Sequence, residues 1–170
     1  MRVWPLLLIL LAWPARADDW SVGTAPSDDS ALPAALVRNA EGDVLFLWGR
    51  EANDRYQVFA ELHLGRGETF GPAMPSYRID GGETVETETV RQEGEALGAL
   101  WGHVGDAVAF WLVWTSIHDA ILPSDRLAEW FAGKEIEIIY IAADGTDRIA
   151  RFPLTGSAAA VRGATGLETP

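Results

Sequence analysis

The amino-acid sequence predicts a mainly β fold: a compact antiparallel β-sandwich-like domain with one short helix at about 124–132. Apolar and polar residues alternate with period two over most of the chain, the pattern of strands with one buried face. Turn-forming clusters fall at hairpin spacing, at Asn39-Ala40-Glu41-Gly42-Asp43 and at Asp144-Gly145. A convincing helical stripe at i, i+3 and i+4 occurs once, at Leu127, Trp130 and Phe131.

In chain order, Trp20 to Gly23 reads as a first short strand, followed by a polar loop through Ala25-Pro26-Ser27-Asp28-Asp29-Ser30. Ala34 to Arg38 and Val44 to Trp48 form a hairpin about the Asn39–Asp43 turn. Tyr56 to Leu64 is amphipathic: Tyr56, Val58, Ala60, Leu62 and Leu64 share one face, and Gln57, Glu61 and His63 share the other. Tyr77-Arg78-Ile79-Asp80 runs into the Gly81-Gly82 turn. Thr84 to Val90 alternates without a properly apolar face, which suits an edge strand whose charges oppose edge-to-edge pairing. Ala107 to Trp114, like Val44 to Trp48, is apolar on both sides, as in central strands covered on both faces, or covered on one face and packed against a helix on the other.

The helix has Ser124 as N-cap, Asp125 at the positive end of its dipole and Gly133 as its stop. Glu135 to Ile141 and Ile149 to Leu154 form a second hairpin through Asp144-Gly145. Ala158 to Arg162 is a candidate for a second short, C-terminal helix, and residues 163–170 read as a loose tail.

At 170 residues, with 48% hydrophobic and 22% charged side chains, the chain has globular composition and room for one domain. The organisation expected is a signal peptide at 1–17, a single β-rich domain at 18–162 and the tail at 163–170. Arg2 precedes an apolar run from Val3 to Trp13, and Ala15-Arg16-Ala17 is a small-x-small cleavage site. That run is about half of the roughly 20 residues a spanning helix needs, and Pro5 and Pro14 interrupt it. Export to the periplasm, with secretion beyond it as the alternative, follows as the expectation, without membrane insertion after cleavage.

The formal net charge is −12, and Lys134 is the sole lysine. Such a surface repels nucleic acid and anionic lipid, so nucleic-acid binding is not expected. Cysteine is absent, which excludes disulfides, thiolate metal sites and cysteine nucleophiles.

No catalytic set converges in the sequence. His63, His103 and His118 match no local zinc spacing, leaving His118 and Asp119 (with Asp106) as weak metal candidates. Thr155-Gly156-Ser157-Ala158-Ala159 lacks the second glycine of a nucleophile elbow, and Ser116 and His118 form no triad. Glu83, Glu86, Glu88, Glu93 and Glu95 read as a solvated acidic face rather than a glycosidase pair. Gly81-Gly82 lacks the following helix that phosphate cradling requires, and no cofactor is expected. Trp48, Trp111, Trp114 and Trp130 fall on apolar faces and read as core, whereas Trp101, Tyr77 and Trp20 are the candidate ligand or partner contacts.

The order of elements resembles the invasion-associated locus B family of exported proteobacterial proteins. The similarity is carried by Trp20, by Tyr77-Arg78-Ile79-Asp80-Gly81-Gly82, and by the C-terminal third. There a helix ending at Gly133, the strand Glu135 to Ile141 and the Asp144-Gly145 turn lead into Phe152-Pro153-Leu154-Thr155-Gly156-Ser157-Ala158-Ala159-Ala160-Val161. The resemblance implies a soluble β-domain with an accessory role, and it brings no catalytic residues; the cysteines common in the family are missing. Together these readings lead to a non-enzymatic periplasmic module that binds a protein or cell-envelope component. A small-ligand or carbohydrate binder with an exposed aromatic patch about Trp101 and Tyr77 is the alternative. A small hydrolase, with His118 and Asp119 in a concave pocket, is the third.

Overall fold

The structure, a computed structural model, describes residues 19–26, 32–52, 55–65, 67–88, 102–104, 107–117, 120–123 and 125–166. The expected signal peptide therefore lies outside the described residues, as do Ser124, Trp101, His118 and Asp119. The chain is mainly β, and the described residues include two antiparallel sheets and two short helices. No helix among the described residues is long and apolar enough to cross a membrane.

The first sheet opens with a meander of β1 (Ser21–Ala25), β2 (Leu32–Arg38), β3 (Val44–Ala52) and β4 (Arg55–His63). The strand β8 (Ala107–Ile117) then pairs with β4, and the short strands β7 (Gly102–Val104) and β9 (Ala120–Pro123) pair with β8. The second sheet has the order β11-β10-β5-β6, with β5 at Ser76–Ile79, β6 at Val85–Glu86, β10 at Glu135–Ile141 and β11 at Asp147–Pro153. Helix α1 (Asp125–Ala132) precedes β10, and α2 (Ser157–Thr165) follows β11.

Period-two alternation directs one face of each sheet into a common core. Leu45, Leu47, Val58, Ala60 and Leu62 of the first sheet meet Ile136, Ile138, Tyr140, Ala150 and Phe152 of the second. Leu127 and Trp130 from α1 and Val161 from α2 complete the core. Each fully buried side chain of this size contributes about 1.5–3 kcal/mol relative to exposure.

Several boundaries differ from the sequence reading. The first strand runs to Ala25, so the polar loop starts one residue later. Of the strand expected at Thr84 to Val90, Val85–Glu86 pairs with β5, whereas Thr87 and Glu88 are helical and Thr89 and Val90 lie outside the described residues; the buried Thr87 hydroxyl donates to the Pro75 carbonyl. Val85–Glu86 is still the end strand of its sheet among the described residues. The tail expected at 163–170 does not start at Gly163, since α2 continues to Thr165. Gly163 sits inside the helix because a Cβ there would come within 3.2 Å of Cγ2 of Val22. The left-handed cap is Gly166 (φ 71°), whose N–H donates to the Arg162 carbonyl at 2.8 Å.

The polar face of β4 is largely buried: Gln57 and Glu61 are only 2% and 3% exposed, and half-buried His63 is engaged by Glu61.

Candidate functional site

The second sheet and α1 together form a groove. Along β5, Tyr77 and Ile79 point to the inner side and Arg78 to the outer, as alternation requires. Asp80 then takes a left-handed conformation (φ 50°) and Gly81 another (φ 70°), and the chain turns back to run as β6. The Asp80 carboxylate accepts the backbone N–H of Lys134 at 3.0 Å and of Glu135 at 2.9 Å. It thereby ties the β5–β6 turn to the segment that leaves α1.

On α1, the apolar stripe read from the sequence buries Leu127 and Trp130, and the Trp130 ring meets Tyr77 edge-on at 5.4 Å and 71°. Close approach is possible because residue 133 is glycine. A Cβ there would lie 2.5 Å from Cγ2 of Ile79 and 2.9 Å from Cδ1 of Leu154. The opposite side of α1 carries Arg126 and Glu129.

Between these walls lies a cavity of about 720 Å³. Its floor is Tyr77, Ile79, Val85 and Ala132, and among the described residues its rim carries Asp80, Glu83, Glu86 and Glu129 against one cation, Arg126. Glu83, Glu86 and Glu129 are exposed, and their carboxylates make no hydrogen bond or ion pair among the described residues. The groove thus pairs an apolar floor with uncompensated negative charge, which favours cationic, partly apolar ligands. The described residues of its lining include no histidine and no serine.

A second polar cluster lies on the outer face of the first sheet. Oε2 of buried Glu61 accepts the Trp48 indole N–H at 2.8 Å, and its Oε1 lies 2.6 Å from Nε2 of His63. Phe46 packs edge-on to His63 at 5.2 Å, and Trp48 stacks on Phe59 at 4.5 Å. The Arg50 guanidinium lies 5.5 Å above the Phe59 ring. Arg50 and Gln57 are register partners, and Nε of the one and Oε1 of the other are buried without a hydrogen-bond partner.

The outer face of the second sheet carries an ion triad. Glu137 sits between its two cross-strand neighbours, bonded to Nε of Arg78 and, at 2.8 Å, to Nε of Arg151. The Arg78 hydrogen bond holds the Glu137 carboxyl below its ordinary value, with Arg151 assisting and burial opposing. A smaller cavity of about 300 Å³ lies between Glu41, Asp43, Glu68 and Tyr140. There burial, reinforced by the Glu68 charge, raises the Tyr140 hydroxyl above its ordinary range.

Of the contacts singled out in the sequence, Tyr77 alone belongs to the groove. Its ring is 1% exposed and forms the floor, so it offers no open stacking face. Trp20 is half-buried, and its indole N–H donates to the Pro153 carbonyl at 2.7 Å, a structural bond. Trp101 lies outside the described residues. Ser157 is fully buried at the start of α2. Among the described residues, no three metal-ligating side chains converge. The rim residues Glu83 and Glu86 were visible in the sequence as acidic, but the partner wall from α1 has no local signal beside them.

No family model matches the chain, and no curated protein or solved structure matches it either.

Proposed function

We propose that this chain is an exported, non-catalytic accessory domain of the periplasm that binds a protein or cell-envelope component through the groove between β6 and α1. The observation that carries the reading is the pairing of an apolar floor with three carboxylates lacking partners, in the larger of the two cavities described. Binding surfaces concentrate in such concave, partly apolar sites. The resemblance to invasion-associated locus B proteins supports an accessory role, and the acidic composition supports a cationic ligand.

The test combines export and capture. N-terminal sequencing of the exported protein is expected to begin at Asp18. Photo-crosslinking residues placed at Glu83 and Glu129 in cells are expected to trap one partner in near-stoichiometric yield. Retention of residues 1–17, or traps that recover background alone from folded protein, would overturn the reading.

A further inference from the structure

We propose that the groove's occupant is an extended basic peptide segment of a partner protein, added as a strand along the edge of β6, the end strand of its sheet among the described residues. The proposal rests on the groove being the binding surface. It follows from three features that meet at one place.

The first is charge. Among the described residues, Asp80, Glu83, Glu86 and Glu129 face one cation, and Asp80 alone of the four carboxylates has protein donors for its oxygens. Lysine and arginine side chains supply the missing donors, and the chain's net charge of −12 steers a basic segment toward it. Anionic lipid and nucleic acid are repelled by the same field.

The second is the edge. β6 ends its sheet, and among the described residues no strand pairs on its other side. Among the described residues, Thr84 and Val85 make no backbone hydrogen bond apart from the β5 ladder, and Glu86 leads into the helical turn that starts at Thr87. An end strand with open backbone groups is the template for strand addition.

The third is the floor. Ile79 and Val85 are half-buried, with the apolar surface that remains turned to the groove. An extended segment alternates its side chains every residue, so apolar positions reach the floor while the intervening basic ones reach the rim.

The test uses the purified full protein and two synthetic seven-residue peptides, one alternating Lys and Val, the other Glu and Val. Binding is read by fluorescence anisotropy, and strand addition by amide hydrogen exchange. The Lys-Val peptide is expected to bind, to weaken with added salt, and to protect the amides within residues 84–86 that point away from β5. The triple variant E83Q/E86Q/E129Q is expected to bind it about tenfold more weakly, since exposed ion pairs are individually weak. All three positions are exposed, so the variant should keep the parent's circular dichroism and thermal midpoint. Equal affinity for the Glu-Val peptide, an unchanged affinity of the triple variant, or binding without protection at residues 84–86 would overturn the proposal. Binding of phosphatidylglycerol vesicles in preference to the peptide would overturn it as well. If neither peptide binds while crosslinks at Glu83 and Glu129 still trap one partner, the occupant's chemistry is wrong and the groove reading stands. If the crosslinks also fail, the groove reading falls with it.

Discussion

Nε2 of His63 lies 2.6 Å from Oε1 of Glu61, two residues upstream on the same face of β4. The second oxygen of that carboxylate accepts the indole N–H of Trp48 on β3. One buried carboxylate therefore ties neighbouring strands together on the face of the sheet away from the core, and holds two aromatic side chains in fixed orientation. Replacing Glu61 by Ala leaves the Trp48 N–H without its acceptor and is expected to cost about 2 kcal/mol. Glu61→Gln keeps one carbonyl oxygen for the indole and should cost less. Urea unfolding followed by tryptophan fluorescence measures both; an Ala variant as stable as the parent refutes the role.

Such a bond was not legible in the sequence, although the strand that carries it was. The alternation of Tyr56, Val58, Ala60 and Leu62 gives β4 and its inner face, since period two is a local property. The same alternation puts Gln57, Glu61 and His63 opposite and suggests water, because polarity alone does not distinguish a solvated face from a bonded, buried one. Hairpins β2–β3 and β10–β11 were legible through Asn39–Asp43 and Asp144-Gly145. The pairing of β5 with β10 joins Tyr77 to Ile138, and β4 with β8 joins Phe59 to Trp111. No local pattern specifies partners so far apart. The groove depends on this kind of long-range pairing, as Glu83 and Glu86 meet Glu129 only after the sheet and α1 assemble.

The Glu137 triad gives a pH-dependent stability. Its carboxyl is held below the ordinary value of 4.5, chiefly by the Arg78 hydrogen bond. Because the folded value is the lower one, the ionised group adds stability above pH 4.5, and that contribution is lost as the pH falls through the lowered value. Both arginines are substantially exposed, so the contribution is about 1 kcal/mol. Glu137→Gln is expected to be less stable than the parent at neutral pH by this amount, with the gap closing in acid. Urea midpoints of both proteins across the acidic range test it; a gap that widens as the pH falls contradicts the assignment.

Gly65 is required by its surroundings. A Cβ at this position would lie 2.6 Å from the carbonyl carbon of Gly42 and 2.8 Å from its oxygen. Both are backbone atoms and cannot rotate away, and the Gly65 N–H is itself held by Asp43 Oδ1 at 2.8 Å. Gly65→Ala is expected to cost about 2 kcal/mol through overpacking. Gly67, with φ 72° and open space around it, is the control, and its Ala variant should cost about 1 kcal/mol from the left-handed backbone alone. Thermal midpoints of the two variants should fall in that order, and the reverse order would contradict the packing argument.

Asp80 couples the two walls of the groove, and its replacement should loosen both. Its left-handed φ of 50° suits Asp and Asn better than Ala, and its carboxylate accepts two N–H groups just beyond α1. Its own N–H donates to the Glu135 carbonyl at 3.0 Å, so the turn is fastened in both directions. Asp80→Ala loses the acceptors and strains the backbone, at an expected cost of about 2 kcal/mol. Asp80→Gly relieves the strain but not the loss of acceptors, and Asp80→Asn keeps a carbonyl oxygen at a tolerated φ. Stability should therefore decrease from parent to Asn to Gly to Ala. Amide exchange should rise first at Lys134 and Glu135, whose N–H groups lose their acceptor, and next along residues 79–86. Faster exchange confined to the turn, with Lys134 and Glu135 unchanged, would mean that the carboxylate does not join the walls.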